Sequence, residues 1–157
     1  MRLAITLILF FICSNCFGQD KNNDIKNMMD SAVSLTLKKY LSETGAGLYK
    51  KILLTKGLFL MDENQLPYKY LLSDHGVKIS PVCGNCPEIE SGLKTGMNVW
   101  KIWSTLQGDQ FSVSVARYTT EFDEKMYFSY SGNTITTFKY NCKKKKWNQT
   151  KIETMRH

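Results

Sequence analysis

Three cysteines are the residues whose type and spacing most readily suggest chemistry: Cys83, Cys86 and Cys142. The first two form a Cys-x-x-Cys pair, a spacing that suits a disulfide in a tight turn and also thiol–disulfide exchange. The chain's other two cysteines, Cys13 and Cys16, lie in an N-terminal segment that is predicted below to be removed on export. The three that remain predict one bridge with a free thiol, a bridge between chains, or a metal site. We expect a structural bridge, either within the pair or from the pair to Cys142. By the chain-entropy model the bridge to Cys142 would stabilise more, by about 4 kcal/mol, because it closes the longer loop.

Two alternatives use the same cysteines. Exchange chemistry at Cys83 and Cys86 needs a long following helix whose N-terminus stabilises a thiolate, whereas the segment from Pro87 to Gly96 is short and contains two glycines. A tetrahedral zinc site would combine the three cysteines with His75, but structural zinc sites usually present two close pairs of ligands. We therefore predict no metal and no cofactor, and keep thiol–disulfide exchange as the alternative function.

Other catalytic arrangements find little support in the residues. His75 and His157 are the two histidines, and the chain has no Gly-x-Ser-x-Gly, His-Glu-x-x-His or phosphate-binding loop. Trp100 and Trp103 are candidate ligand-facing residues, although large aromatic side chains on a strand usually belong to the core. The residues favour a non-catalytic protein over an enzyme.

The N-terminus has the pattern of a cleavable export signal. Arg2 precedes an apolar run from Leu3 to Ile12, which is about half the length that a membrane-spanning helix requires. Cys16 and Gly18 supply the small side chains that signal peptidase needs for cleavage before Gln19. The pattern predicts a signal peptide over residues 1–18, a single domain over residues 19–157, no transmembrane helix, and a secreted or periplasmic location.

A lipid anchor on Cys16 is the competing interpretation of this terminus. A lipobox usually has an aliphatic residue three positions before its cysteine and a very small residue directly before it. Cys13 and Asn15 occupy those positions here, so the residues favour export over lipidation.

The charge of the chain is moderately basic, with 21 basic and 14 acidic side chains and a formal net charge of +7. Part of the excess lies in one block, Lys143 to Lys146, which separates two β-prone segments and is expected to form a hairpin turn. Arginine is scarce, whereas nucleic-acid surfaces usually combine arginine with stacking aromatics. We therefore predict no nucleic-acid partner.

The order of elements predicts an α+β domain. Apolar residues from Ile25 to Leu41 recur at spacings of three and four, which indicates an amphipathic helix ending at Gly45 and Gly47. Tyr49 to Met61 and Val77 to Val82 are β-prone. Five further segments have strand length: Val99 to Leu106, Phe111 to Tyr118, Lys125 to Tyr130, Thr134 to Cys142 and Trp147 to Glu153. The connections between them are short, among them a turn expected at Ser131-Gly132-Asn133. Short connections predict a curved antiparallel sheet of about five or six strands, packed against the N-terminal helix.

A helix followed by a curved antiparallel sheet resembles the element order of cystatin-like and NTF2-like folds. The ending Phe17-Gly18-Gln19 of the signal, and the closing strand pair around Tyr140, Cys142 and Trp147, resemble small exported proteins of unknown function from Bacteroidetes-type bacteria. The resemblance implies no activity. We expect a non-catalytic exported domain that binds a protein, a peptide or a component of the cell envelope.

Overall fold

The computed structural model describes residues 21–42, 47–72, 76–82, 92, 96–123 and 125–155. The predicted signal segment lies outside these residues. The fold is α+β, as predicted, with two described helices and six described strands. In chain order these are α1 Lys21–Ser42, α2 Gly47–Lys56, β1 Leu58–Met61, β2 Ile79–Pro81, β3 Met97–Gln107, β4 Gln110–Asp123, β5 Lys125–Asn141 and β6 Lys146–Met155.

Helix α1 confirms the prediction of an N-terminal amphipathic helix. Asp24 lies in its first turn and Lys39 in its last, where each charge is favourable towards the helix dipole. One stripe of the helix is buried against the sheet, and its members are Met28, Ala32, Val33, Leu37 and Tyr40. Gly47 does not end this helix as we expected, because it begins α2.

Helix α2 corrects the expectation of a β-prone segment from Tyr49 to Met61. Only Leu58–Met61 is a strand, and Gly47–Lys56 is helical. Gly57 separates the two with a φ of 81° and donates its N–H to the Leu53 carbonyl at 3.0 Å, which satisfies the end of α2. The left-handed conformation of this one glycine therefore lets a helix turn directly into a strand.

The sheet is mixed and open, with the strand order β2-β1-β3-β4-β5-β6. Strands β3 to β6 form the predicted antiparallel meander, but β1 is parallel to both β2 and β3. The prediction of a wholly antiparallel sheet is wrong at this side. The chain between neighbouring strands is long here, over 62–78 before β2 and over 82–96 after it, and parallel pairing requires connections of this length to return the chain to the same end of the sheet.

Strand β5 is one long strand where we expected two strands and a turn at Ser131-Gly132-Asn133. Gly132 pairs with Arg117 and Tyr130 pairs with Tyr118, so Ser131 is the extra residue of a β-bulge. The Ser131 hydroxyl donates to the Arg117 carbonyl at 3.1 Å. Turn-forming residues are here absorbed into a strand because the bulge accommodates them without breaking the ladder.

The core lies between α1 and the facing side of the sheet. Tyr40 of α1 meets Trp100 of β3 edge to face, with ring centroids 6.0 Å apart. Apolar side chains of β1, β3 and β4 complete this layer, and they are Leu58, Leu60, Ile102, Phe111, Val113 and Val115. Each such side chain stabilises the fold by roughly 1.5–3 kcal/mol relative to its exposed state.

Candidate binding surface

The structure places Cys142 in the turn between β5 and β6, where it is exposed and not part of a disulfide. Cys83, Cys86 and His75 lie outside the described residues, so the expected pairing stays a prediction. Within the described ranges, no group of three or more His, Cys, Asp or Glu residues could hold a metal ion.

The strand register bears on which cysteines can pair. Pro81 of β2 is aligned through Leu60, Trp100 and Arg117 with Gly132 of β5, and Cys142 follows Gly132 by ten residues. Four steps of about 4.8 Å between strands and ten residues of about 3.3 Å along β5 separate Pro81 from Cys142 by roughly 38 Å in a flat sheet. A disulfide joins Cα atoms about 4.4–6.8 Å apart, and Cys83 lies only two residues beyond Pro81. This register favours pairing within Cys83 and Cys86.

The two candidate tryptophans lie on opposite faces of β3. Trp100 is 1% exposed and packs against Tyr40 in the core, which leaves it no surface to offer a ligand. Successive residues of a strand point to opposite faces, so Trp103, three positions after Trp100, lies on the face away from α1. Its side chain is half-buried there. Trp103 alone of the two remains a candidate ligand-facing residue.

The face of the sheet away from α1 carries three aromatic side chains that contact each other, and we call them the aromatic row: Tyr118, Phe128 and Tyr130. The Tyr118 ring centroid lies 5.6 Å from that of Tyr130 and 6.3 Å from that of Phe128. Phe128 is 49% exposed and Tyr130 is 39% exposed. The row therefore presents aromatic rings to solvent while Tyr118 supports them from the neighbouring strand.

The bulge at Ser131 creates this row. In an uninterrupted ladder Tyr118 would pair with Ser131, and both Tyr130 and Phe128 would point towards the opposite face. The extra residue shifts the register by one, so that Tyr118 pairs with Tyr130 and Thr120 pairs with Phe128. Sequence reasoning missed the row because it placed a turn at Ser131-Gly132-Asn133 and therefore did not predict the bulge. The aromatic alternation Phe128-Ser129-Tyr130 was the available signal.

Apolar residues of the adjoining strands continue the surface around the aromatic row. Phe59 of β1 is half-buried on this face. Val99 of β3 lies between Phe59 and Tyr118 in the register, but it is only 5% exposed and adds little accessible surface. Trp103 and Ile135 lie further along β3 and β5, on this same face, and both are half-buried. The result is an apolar field with exposed rings at its β5 side.

A second group of chemically active residues lies inside the molecule. Tyr68 donates its hydroxyl to Oδ1 of Asp30 at 2.8 Å and accepts a hydrogen bond from Lys26 Nζ at 3.0 Å. Lys26 also forms an ion pair with Asp30. Burial, followed by the hydrogen bond to Asp30, raises the pKa of Tyr68 well above its ordinary value near 10. Because Asp30 is 1% exposed, this cluster stabilises the attachment of α1 and offers no open site to a substrate.

The turn end of the β5–β6 hairpin carries a shallow open cavity of about 450 Å³. It is lined by Lys139, Tyr140, Asn141, Cys142, Lys143, Asn148 and Thr150, and most of its wall is formed by apolar atoms of these residues. Tyr140 and Trp147 meet beside it with ring centroids 5.3 Å apart. The cavity thus joins positive charge to an aromatic pair at one end of the sheet.

No protein-family model, curated protein or solved structure matches the chain. Among the residues that the structure describes, no helix has the length and apolar character needed to span a membrane.

Proposed function

We propose that the protein is an exported, non-catalytic binding domain that holds a protein, a peptide or a component of the cell envelope on the sheet face away from α1. The aromatic row is the observation that carries this proposal. Tyr118, Phe128 and Tyr130 form a contacting group in which two rings remain well exposed. Binding surfaces are enriched in such aromatic anchors.

The surroundings of the row support a binding role over a purely structural one. An aromatic ring that is held by a neighbour loses little conformational freedom when a ligand covers it, so more of the burial energy contributes to affinity. Tyr118 supplies that support from β4, and the bulge at Ser131 fixes the register that brings the rings together. The rings are therefore preorganised before any ligand arrives.

A site-specific cross-linker tests this surface in the native host. A photoreactive amino acid in place of Tyr130 is expected to trap a discrete partner from the cell-envelope or extracellular fraction, which mass spectrometry then identifies. The matched control carries the same amino acid in place of Lys38, which is exposed on α1. Equal trapping at the two positions, or none at Tyr130, contradicts the proposal.

The export step is tested by the mass of the protein that the host produces. We expect the mature chain to begin at Gln19, with residues 1–18 removed. A diacylglycerol on Cys16 would place the protein on a membrane instead. A chain that begins at Met1 would remove the exported setting altogether.

A further inference from the structure

The β5–β6 hairpin ends in four consecutive lysines that we call the basic tip: Lys143, Lys144, Lys145 and Lys146. All four are exposed. The flanking lysines of the same hairpin are neutralised, since Lys139 pairs with Asp109 at 3.2 Å and Lys151 pairs with Glu153 at 2.7 Å. No ion pair to the basic tip is formed by a carboxylate of the described residues. The tip therefore presents its charge outward.

The basic tip extends beyond the rest of the sheet. The neighbouring β3–β4 hairpin closes at the pair Gln107 and Gln110, and Gln110 is aligned with Lys139 of β5. Strand β5 continues for two more residues, to Asn141, before the turn begins. The Tyr140 amide donates to the Asp109 carbonyl at 3.1 Å, which braces the base of the projecting hairpin. The turn of the β5–β6 hairpin therefore lies beyond the turn of its neighbour in the sheet.

Two aromatic side chains with polar ends lie directly behind the lysines. Tyr140 and Trp147 pair edge to face, and each keeps part of its surface accessible. Tryptophan and tyrosine beside lysine are typical of the boundary between water and a lipid bilayer, because each has an apolar body and a polar end.

The lysine composition of the tip indicates which class of anionic partner it suits. A lysine ammonium is a compact charge on a flexible stem, whereas arginine forms the planar fork that recognises a single carboxylate or phosphate in two-point geometry. A tip made of lysine alone suits a surface with many dispersed negative charges. Four adjacent lysines match the charge density that binds anionic phospholipid headgroups.

We propose that the basic tip docks the domain onto an anionic phospholipid surface, with Tyr140 and Trp147 at the headgroup level. This inference uses a different surface from the aromatic row and does not depend on that row's function. The β4–β5 end of the sheet, where Phe128 lies, is opposite to the β5–β6 turn. A docked domain would therefore direct the aromatic row away from the lipid.

Vesicle sedimentation tests the proposal with the protein as its host processes it. We expect the protein to bind vesicles of phosphatidylcholine in which about a third of the lipid is phosphatidylglycerol, at low salt. We expect it not to bind vesicles of pure phosphatidylcholine. The triple variant K143Q/K144Q/K145Q should lower the partition coefficient on anionic vesicles by about a hundredfold, from the typical contribution of each lysine near such a surface. Near 0.5 M salt the difference should largely vanish, because the charges are screened.

The matched control is K38Q/K51Q/K69Q, which removes the same charge from exposed positions on α1, α2 and the connection after β1. This control should bind anionic vesicles almost as the wild type does, since the effect is assigned to the tip and not to net charge.

Three outcomes overturn the proposal. One is equal loss of binding in the tip variant and in the control variant. Another is equal binding to neutral and anionic vesicles, as a lipid on Cys16 would produce. The third is binding to a soluble polyanion such as dextran sulfate without binding to anionic vesicles, which would assign the tip to a different class of partner. Failure of the vesicle test leaves the cross-linking test at Tyr130 unaffected.

Discussion

The Tyr68 hydroxyl lies 2.8 Å from Oδ1 of Asp30 and donates a hydrogen bond to it, joining helix α1 to the connection that follows β1. The other carboxylate oxygen of Asp30 accepts the Leu71 amide at 3.3 Å. Lys26 supplies the compensating charge and lies over the Tyr68 ring, 4.3 Å from its centroid. A buried carboxylate is tolerated here because each of its oxygens has a partner.

Replacing Tyr68 by phenylalanine should lower the free energy of unfolding by about 1–3 kcal/mol, because the buried Asp30 carboxylate loses one of the two donors to its Oδ1 and keeps only Lys26 there. Chemical denaturation measures this loss. Tyr127→Phe is the matched control, since Tyr127 is exposed, and it should stay within about 0.5 kcal/mol of the wild type. An equal effect of the two substitutions would show that the Tyr68 hydroxyl contributes nothing to stability.

The raised pKa of Tyr68 predicts a loss of stability at alkaline pH. The unfolded chain releases this proton near pH 10, whereas the folded protein still retains it, so its contribution is complete below pH 10 and is lost as the pH rises further. Between pH 10 and 11 the free energy of unfolding should fall by about 1 kcal/mol more in the wild type than in Tyr68→Phe. Parallel curves for the two proteins would contradict a shifted tyrosine.

Gly57 should tolerate no side chain. Its φ is 81°, and a Cβ atom there would lie only 2.4 Å from the Lys78 carbonyl oxygen. We expect Gly57→Ala to lower the free energy of unfolding by about 3 kcal/mol or more, because the backbone would be strained and Lys78, directly before β2, would have to move. Gly108→Ala is the matched control: its φ is 61° but no atom lies within 4 Å of the added Cβ, so its cost should be near 1 kcal/mol. Thermal melts of the two variants compare them, and similar melting temperatures would disprove the close contact.

The cysteines should behave unequally under non-reducing conditions. Cys142 is exposed and should react with a maleimide in the folded protein, whereas Cys83 and Cys86 should be protected by a bond to each other. Peptide mass mapping after alkylation checks this pairing. A peptide that links Cys142 to either member of the pair within one chain would contradict the register argument. A Cys83–Cys86 bond that mild reductant opens readily would instead favour thiol–disulfide exchange as the function.

The helix α1 and the lysine turn show what local residues can predict. The period of three and four from Ile25 to Leu41 identifies the helix because one apolar face recurs at each turn. The turn between β5 and β6 is predictable because a polar block separates two β-prone segments, and the structure places its turn at 142–145. Both features depend on residues that are neighbours in the chain.

The candidate surface could not be predicted in this way, because it depends on register between strands. Gly132 and Ser131 have the composition of a turn, yet they lie within β5, and the one-residue bulge there determines the face on which Phe128 and Tyr130 emerge. The parallel pairing of β1 likewise depends on where a long connection returns. The separation of Cys142 from Pro81 follows from the order of five strands, which loop-length arguments do not contain.

The amino-acid sequence by itself determined the α+β class, the N-terminal helix, the meander of β3 to β6 and the basic turn. Each of these features depends on hydrophobic periodicity or on residues that are adjacent in the chain. Only the tertiary structure decided that Trp100 is in the core, that Tyr118 meets Tyr130, and that the sheet is mixed. The physical reason is that a side chain's face and neighbours are set by hydrogen-bond register across strands, which a shift of one residue reverses.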